Sequence, residues 1–356
     1  MSKLLEKLQK SSKLKESAIL SESKFFNEKN FVSTLVPAIN IALSGSLDGG
    51  FTSGLTMFAG PSKHFKTAFT LLMMKAYLDA HKDAIGIFYD SEFGTPQSYF
   101  DSFGIDTSRV LHCPITNLEM LKFDLMGQLD NITRGDKVFI AVDSIGNLAS
   151  KKEVEDALNE KAVADMSRAK QIKSLFRMVT PVLTLKDIPM VVVNHTYKTQ
   201  DLFPKDVVSG GTGSYYSADN IFIIGRQQEK DGTEVAGYNF IINVEKSRHA
   251  REKSKIPVTV MHEGGISKWS GLLDMALESG HVIKPSNGWY SRVDIETGEV
   301  EAQKFREKDT NTSAFWNQIL VQQSFKDWVQ KKYRVATGNI MKDEDLDTAI
   351  EEALED

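Results

Sequence analysis

Residues 55–67 read Leu-Thr-Met-Phe-Ala-Gly60-Pro61-Ser62-Lys63-His64-Phe65-Lys66-Thr67. The first five residues form an apolar run with the look of a strand, and the periodicity after the turn predicts a helix over Lys66–Leu78. A strand, a glycine-led turn and a helix that opens on Lys-Thr is the setting a phosphate loop requires. A tight turn at Gly60 lets successive backbone N–H groups converge on phosphate oxygens, and a helix N-terminus favours the anion. Lys66 would reach the β- and γ-phosphates, and the Thr67 hydroxyl would ligate Mg²⁺. One position departs from the pattern, because Phe65 stands where a glycine normally precedes the lysine. A Cβ there costs little if the residue already has helical φ, and the first glycine is the less replaceable one. On its own, the octapeptide reads equally well as an ordinary strand–loop–helix turn.

Three other strands point the same way. Lys137–Ser144 is apolar and ends in Asp143, which suits a carboxylate that holds Mg²⁺ through water. Ile87–Glu92 leaves Asp90 and Glu92 at its end, where a carboxylate can orient an attacking water. Val191–His195 ends in Asn194 and His195. Ligands of open parallel sheets gather at the carboxyl edge of the strands, so four such ends imply one Mg–nucleotide site and an NTPase. Asp143 taken singly reads better as a cap of the following element.

The surrounding pattern supplies that sheet. From 35 to 265, helical stretches such as Lys66–Leu78 and Leu118–Leu129 alternate with apolar runs. The predicted strands are Leu55–Ala59, Ala84–Tyr89, Val110–Cys113, Val138–Val142, Met190–Asn194, Ile221–Ile224 and Phe240–Val244. Runs buried on both faces and separated by helices predict an α/β fold with a largely parallel central sheet. Residues 1–34 form a separable, helical, lysine- and leucine-bearing arm suited to oligomerisation, with Leu4, Leu5, Leu8 and Leu14 at mixed three- and four-residue spacings that fit an amphipathic helix. Residues 266–341 hold all four tryptophans and predict a small C-terminal domain with its own packing, and 342–356 form an acidic tail.

The 356-residue chain carries a formal charge of −5, which argues mildly against a nucleic-acid partner until it is divided. The tail holds eight acids and one lysine, so the preceding 341 residues are slightly basic. The lone Cys113 excludes a disulfide framework and fits a reducing cytoplasm. No apolar run approaches the roughly 20 residues that span a bilayer, and the N-terminus lacks the apolar core of a signal peptide. Membrane, collagenous, secreted mini-protein and disordered classes are excluded.

The order GPSKHFKT (60–67), FYDSEFG (88–94), VFIAVDS (138–144), VVVNH (191–195) and GGTGSYYSAD (210–219) resembles the RecA-type strand-exchange recombinases, above all their bacteriophage members. The resemblance runs from about residue 20 to 340, and those members share the loop without its second glycine. It implies a RecA-like P-loop ATPase core using ATP and Mg²⁺. Glu92 matches the residue that activates water, Tyr99 an aromatic stacked on adenine, and Asp143 the metal-holding aspartate. His195 takes the place of a polar residue that senses the γ-phosphate. Lys246 and Arg248 match basic residues that reach a neighbouring subunit's nucleotide; read without the resemblance they are a strand-edge surface pair.

The same resemblance makes 150–165, with Lys151, Lys152 and Lys161, and 196–214, with Tyr197, Lys198, Phe203, Lys205, Gly210 and Gly211, the two loops that hold DNA. Unaided, both read as surface loops. Lysines and backbone N–H groups would meet phosphates, while Tyr197 or Phe203 would stack on or wedge between bases. The implied function is an ssDNA-dependent ATPase that forms head-to-tail helical filaments on single-stranded DNA and pairs it with homologous duplex. Further implied partners are a single-strand-binding protein and a mediator or loader, in the host cytoplasm if a phage encodes the chain. Against it stand a RecA-fold hexameric helicase, for whose extra domain the arm leaves no room, and a non-hydrolysing filament mediator, which Lys66, Thr67, Glu92 and Asp143 together oppose. A small-molecule kinase is the outsider.

Overall fold

The computed structural model describes residues 2–14, 16–23, 30–160 and 167–335. Lys161 and the acidic tail therefore lie outside the described residues. The five predicted strands of the first half are present as β1 (Gly54–Ala59), β2 (Ile85–Asp90), β3 (Val110–Pro114), β4 (Val138–Asp143) and β5 (Pro189–Asn194). A short hairpin, β6 (Thr196–Lys198) and β7 (Asp206–Val208), precedes β8 (Asn220–Asp231), β9 (Glu234–Lys246), β10 (Lys255–Met261) and β11 (Gly265–Ile266). These build one nine-stranded sheet in the order β11-β10-β9-β8-β1-β5-β4-β2-β3, parallel from β8 to β3 and antiparallel beyond β8. A second sheet of three strands, β12 (Val282–Ser286), β13 (Trp289–Arg292) and β14 (Phe305–Arg306), belongs to the C-terminal segment. The fold is the expected α/β fold with a large, mostly parallel central sheet.

Every residue of β1, β4 and β5 is buried, which is why they read as unbroken apolar runs. The helix Lys66–Ala80 covers one face through Phe69, Met73 and Tyr77, against Phe58, Phe88 and Phe139. The helices Leu118–Asn131 and Ser167–Lys186 cover the other, against Met57, Ile140 and Val192. The C-terminal segment was expected to pack on its own, yet Trp316, Phe325 and Val329 join the same buried cluster as Phe58 and Phe222.

Two strands run far beyond their predicted bounds. β8 and β9 are 12 and 13 residues long and pair antiparallel, turning at Gly232. Their outer halves lie at the sheet margin, half-exposed and polar, so only their buried inner parts were apolar enough to stand out.

The turn between β1 and the helix Lys66–Ala80 contains the clearest departure from expectation. Phe65 does not have helical φ; it is left-handed, with φ +62 and ψ 15. That conformation costs a side-chain-bearing residue roughly 1–2 kcal/mol. Its ring stacks on Phe240, centroids 4.8 Å apart, and meets Phe69 edge-on at 5.5 Å. Burial of an aromatic ring is worth about as much as the strain or more, so the contact with β9 allows phenylalanine where a glycine would be unstrained. Stability should therefore follow wild type > Phe65→Gly > Phe65→Ala, with losses of about 1 and about 2 kcal/mol in urea unfolding. Glycine loses the stack but relieves the strain, and alanine loses the stack while keeping the strain. Alanine more stable than glycine would refute this account.

Candidate functional site

The parallel register itself assembles the site. Ala59 pairs with Asn194 and Asp90 with Asp143, so the loop after β1 and the ends of β5, β4 and β2 share one edge. A cavity of about 400 Å³ opens there, lined by Ser62, Lys63, His64, Phe65, Lys66, Thr67, Glu92, Tyr99, Asp143 and His195 among others. Gly60 passes so close to the next strand that a Cβ would stand 3.0 Å from the Ile224 carbonyl oxygen. Lys66 is buried, and its Nζ donates to the Pro61 carbonyl at 2.7 Å, folded back over its own loop. Burial lowers its pKa, opposed by the Glu92 and Asp143 carboxylates. Tyr99, from the helix Gln97–Ser102, lines the cavity with its ring edge-on to Phe103 at 5.3 Å.

Thr67 Oγ1 donates to Asp143 Oδ2 at 2.6 Å, but the other carboxylate oxygen, Oδ1, is buried without any hydrogen-bond partner. Burial pushes the Asp143 carboxyl up to about 6; the Thr67 hydrogen bond opposes this, and the neighbouring Glu92 and Asp90 carboxylates reinforce it. An orphaned carboxylate oxygen beside a threonine hydroxyl is a donor set that fits the expected Mg²⁺. Among the described residues no group of three or more His, Cys, Asp or Glu side chains gathers into a metal site. Two protein ligands, with phosphate oxygens and water completing the shell, is how Mg²⁺ is usually held.

The two acids that end β2 have different surroundings. Asp90 is buried and accepts the N–H groups of Glu92 (3.0 Å) and Phe93 (2.7 Å), closing the turn. Glu92 Oε1 instead accepts from Ser144 Oγ at 2.7 Å and Asn147 Nδ2 at 3.0 Å, with His195 Nε2 at 3.3 Å. His195 and then Ser144 hold this carboxyl below its ordinary value, against the effect of burial. The His195 ring lies on Gly146, where a Cβ would come within 2.2 Å of it. Ser144 and Asn147 were not anticipated. Ser144 follows a singled-out aspartate, but nothing in the sequence marks Asn147.

The end of β5 is tied to the segment that follows. Asn194 Nδ2 donates to the Ser209 carbonyl at 2.9 Å, and Ser209 N donates to the His195 carbonyl at 2.9 Å. Between these anchors, Tyr197 and Lys198 lie on β6, Lys205 precedes β7, and Lys198 pairs with Asp206 at 2.8 Å. The tip exposes Phe203 and, unanticipated, Leu202 at 88%. Gly210 and Gly211 have φ of +94 and +77. A Cβ on Gly210 would also press on Ile172 at 2.9 Å.

The other expected loop is partly helical. Lys151–Leu158 is a helix capped by Ser150, whose Oγ accepts from Glu153 N at 3.0 Å, a Ser-x-x-Glu signal present in the sequence. Lys151 pairs with Glu155 at 3.8 Å and Lys152 with Asp156.

Lys246 and Arg248 stand apart from the cavity. Lys246 is level with Ile221 at the opposite edge of the sheet and donates to the Tyr215 and Tyr216 carbonyls, 2.9 and 3.3 Å away. Arg248 pairs with Asp219, which also accepts from Leu55 N at 2.8 Å, at the start of β1. The 60–67 loop leaves the far end of that strand, roughly 17 Å away at 3.3 Å per residue.

Comparison with known proteins gives the family. Residues 2–267 match the RecA N-terminal domain family, and residues 269–329 match the family described as Bacteriophage T4, Recombination and repair protein, C-terminal domain. The chain is 52% identical over 358 residues to the Recombination and repair protein of Enterobacteria phage T4, covering 99% of this chain and 91% of that one. It is 27% identical over 271 residues to Protein RecA of Bacteroides thetaiotaomicron, covering 74% of this chain and 79% of that one. With Protein RecA of Nocardioides sp. it shares 24% over 265 residues, covering 72% and 73%.

The state of Asp143 makes a measurable prediction. With a folded pKa of about 6 against 3.8 when unperturbed, the folded chain binds more protons than the unfolded one between these values. Stability contributed here therefore falls as pH rises from about 4 to 6, and the loss persists above 6. Asp143→Asn removes that penalty. The nucleotide-free variant should be more stable than wild type at pH 7.5 by about 1–3 kcal/mol, with the difference vanishing near pH 4. A difference in urea midpoint that does not change with pH would contradict it.

Proposed function

The chain belongs to the RecA family, and on that premise we propose that it is an ATP-hydrolysing recombinase that polymerises on single-stranded DNA and pairs it with homologous duplex. The observation that carries this reading is the two-edged sheet, with the phosphate loop and Glu92 on one edge and Lys246 and Arg248 on the other. Within one subunit Lys246 is held by the Tyr215 and Tyr216 carbonyls and Arg248 by Asp219, and neither lines the cavity. Stacked head to tail, each subunit would present these cations to its neighbour's nucleotide, as an arginine finger does. A head-to-tail contact that does not close gives an open helical assembly. The leucine stripe on the N-terminal helix Lys3–Ser11 is exposed, at 63% for Leu4 and 58% for Leu8, and would dock on the adjacent copy.

Within a subunit the loop N–H groups cradle the phosphates, and Lys66 leaves the Pro61 carbonyl to bind them. Thr67 and Asp143 would hold Mg²⁺, which supplies neutralising charge at the β- and γ-oxygens when bound. Glu92, kept ionised by its donors, orients a water and takes its proton as the γ-phosphoryl is transferred. Tyr99 carries the adenine. His195 lies beside Glu92 and, through Ser209, is tied to the 196–208 hairpin, which supports a link between nucleotide state and DNA grip.

At the DNA surface, Phe203 and Tyr197 would meet bases. Lys151, Lys152, Lys198 and Lys205 would meet phosphates. The lysines that form ion pairs on the surface exchange them cheaply, since such contacts are worth under about 1 kcal/mol. A single-strand-binding protein and a mediator are the further partners expected. No described helix is long and apolar enough to cross a membrane. If a phage encodes the chain, its place of action would be the host cytoplasm.

ATP turnover should rise at least about tenfold with single-stranded DNA and fall more than about 100-fold in Lys66→Ala. Absence of DNA stimulation would overturn the recombinase reading. Turnover surviving in Lys66→Ala would overturn the phosphate-loop assignment. The shared site has its own test, in which Lys246→Ala/Arg248→Ala and Lys66→Ala proteins, each inactive, are mixed. Junctions pairing intact cations with an intact loop should restore part of the turnover; a mixture no more active than its components would rule out a site built across subunits.

A further inference from the structure

The geometry points to Asn147 as a positioning residue that fixes the water-activating carboxylate, an inference that rests on the reading of Glu92 given above. Ser144, Asn147 and His195 all converge on one oxygen of Glu92, Oε1. No hydrogen bond among the described residues engages Oε2. A carboxylate held by one oxygen keeps the other for a water, in an orientation set by the donors. Ser144 and His195 each have a second commitment, Ser144 through its backbone N–H to Ser91 Oγ and His195 through its backbone N–H to Asn194 Oδ1. The only side-chain hydrogen bond of Asn147 among the described residues is the one to Glu92, so its amide has no other structural task there.

The backbone that carries Asn147 is braced from the DNA side. Arg168, at the start of the helix Ser167–Lys186, donates to the Ile145 (3.1 Å), Gly146 (2.8 Å) and Leu148 (2.9 Å) carbonyls. One guanidinium thus pins the turn on both sides of Asn147. The expected first DNA loop ends just before Arg168, while His195 is tied to the second. Glu92 is held from both, Asn147 being the link to the first. The charged neighbours Lys66 and Asp143 lie across the cavity and act on Glu92 only through space.

Steady-state ATP turnover with saturating single-stranded DNA tests this in four variants. Asn147→Ala should lower kcat about tenfold, the effect of one lost hydrogen bond to a charged group, with KM for ATP unchanged within about twofold. Asn147→Asp, the same shape without the donor and with a like charge, should lower kcat at least about 100-fold. Asn147→Gln, which keeps the amide on an exposed turn, should stay within about threefold of wild type. Wild-type kcat in both the alanine and aspartate variants overturns the inference. So do equal losses in all three accompanied by a raised KM or a lowered melting temperature, which mark a purely structural residue. Glu92→Gln separates the two levels: if it retains turnover the reading of Glu92 fails, and if it is inactive while Asn147→Ala and Asn147→Asp are normal, only the role of Asn147 fails.

Discussion

The pairing of β1 with β5 and of β4 with β2 is the constraint on which the molecule depends. Because these strands are parallel and in register, their carboxyl ends fall in one row, and whatever residue follows each strand is delivered to the same cavity. A shift of one residue in β4 would turn its side chains to the opposite faces and carry Asp143 away from Thr67. Unbroken burial on both faces resists such a slip, since Leu55, Met57, Ile140 and Val192 face one helical layer while Phe58, Phe139 and Val191 face the other. Stability of the sheet and geometry of the site thus share a cause.

That same alignment gives the sheet two chemically different edges. One ends in carboxylates and a loop of backbone donors, and the other carries Lys246 and Arg248 beside Asp219. A single copy does not bring these edges together; in the proposed head-to-tail row of copies each junction would. Asp143 fits this picture. An ionised carboxylate buried with one oxygen unpaired is a local cost that the isolated subunit bears. Local violations of folding rules tend to sit at sites whose satisfaction comes from a ligand.

Legibility in the sequence followed burial. Strands covered on both sides announced themselves as apolar runs, and because their polar ends were visible too, Lys66, Thr67, Glu92, Asp143 and His195 could be named before their geometry was known. β8 and β9 were seen only in their inner halves, because the outer half of β8, Arg-Gln-Gln-Glu-Lys-Asp over 226–231, is polar throughout and reads as loop. The helix Lys151–Leu158 was missed although its Ser150–Glu153 cap was present, since it is only two turns long, buries no residue, and sets Val154 and Leu158 among charged residues that read as a solvated loop. The placement of Lys246 and Arg248 on the far edge follows from the tight antiparallel turn at Gly232 and Thr233, whose Asp231-Gly232 signal was present in the sequence but was not read as a hairpin.

Phe65 and Asn147 show two different reasons why side-chain detail escapes a linear reading. At Phe65 local and tertiary preferences conflict, for the left-handed backbone asks for glycine while Phe240, 175 residues away in the chain, rewards a ring. Any rule based on the octapeptide alone must fail there, because the deciding partner is on another strand. At Asn147 nothing conflicts. Asparagine in an exposed turn is ordinary, and what distinguishes it is only that the turn is clamped by Arg168 at a place where its amide meets Glu92. A residue of this kind is positioned by others and in turn positions the reacting group. Its importance therefore lies in the chain of contacts running from Arg168 to Glu92, which only a folded structure displays.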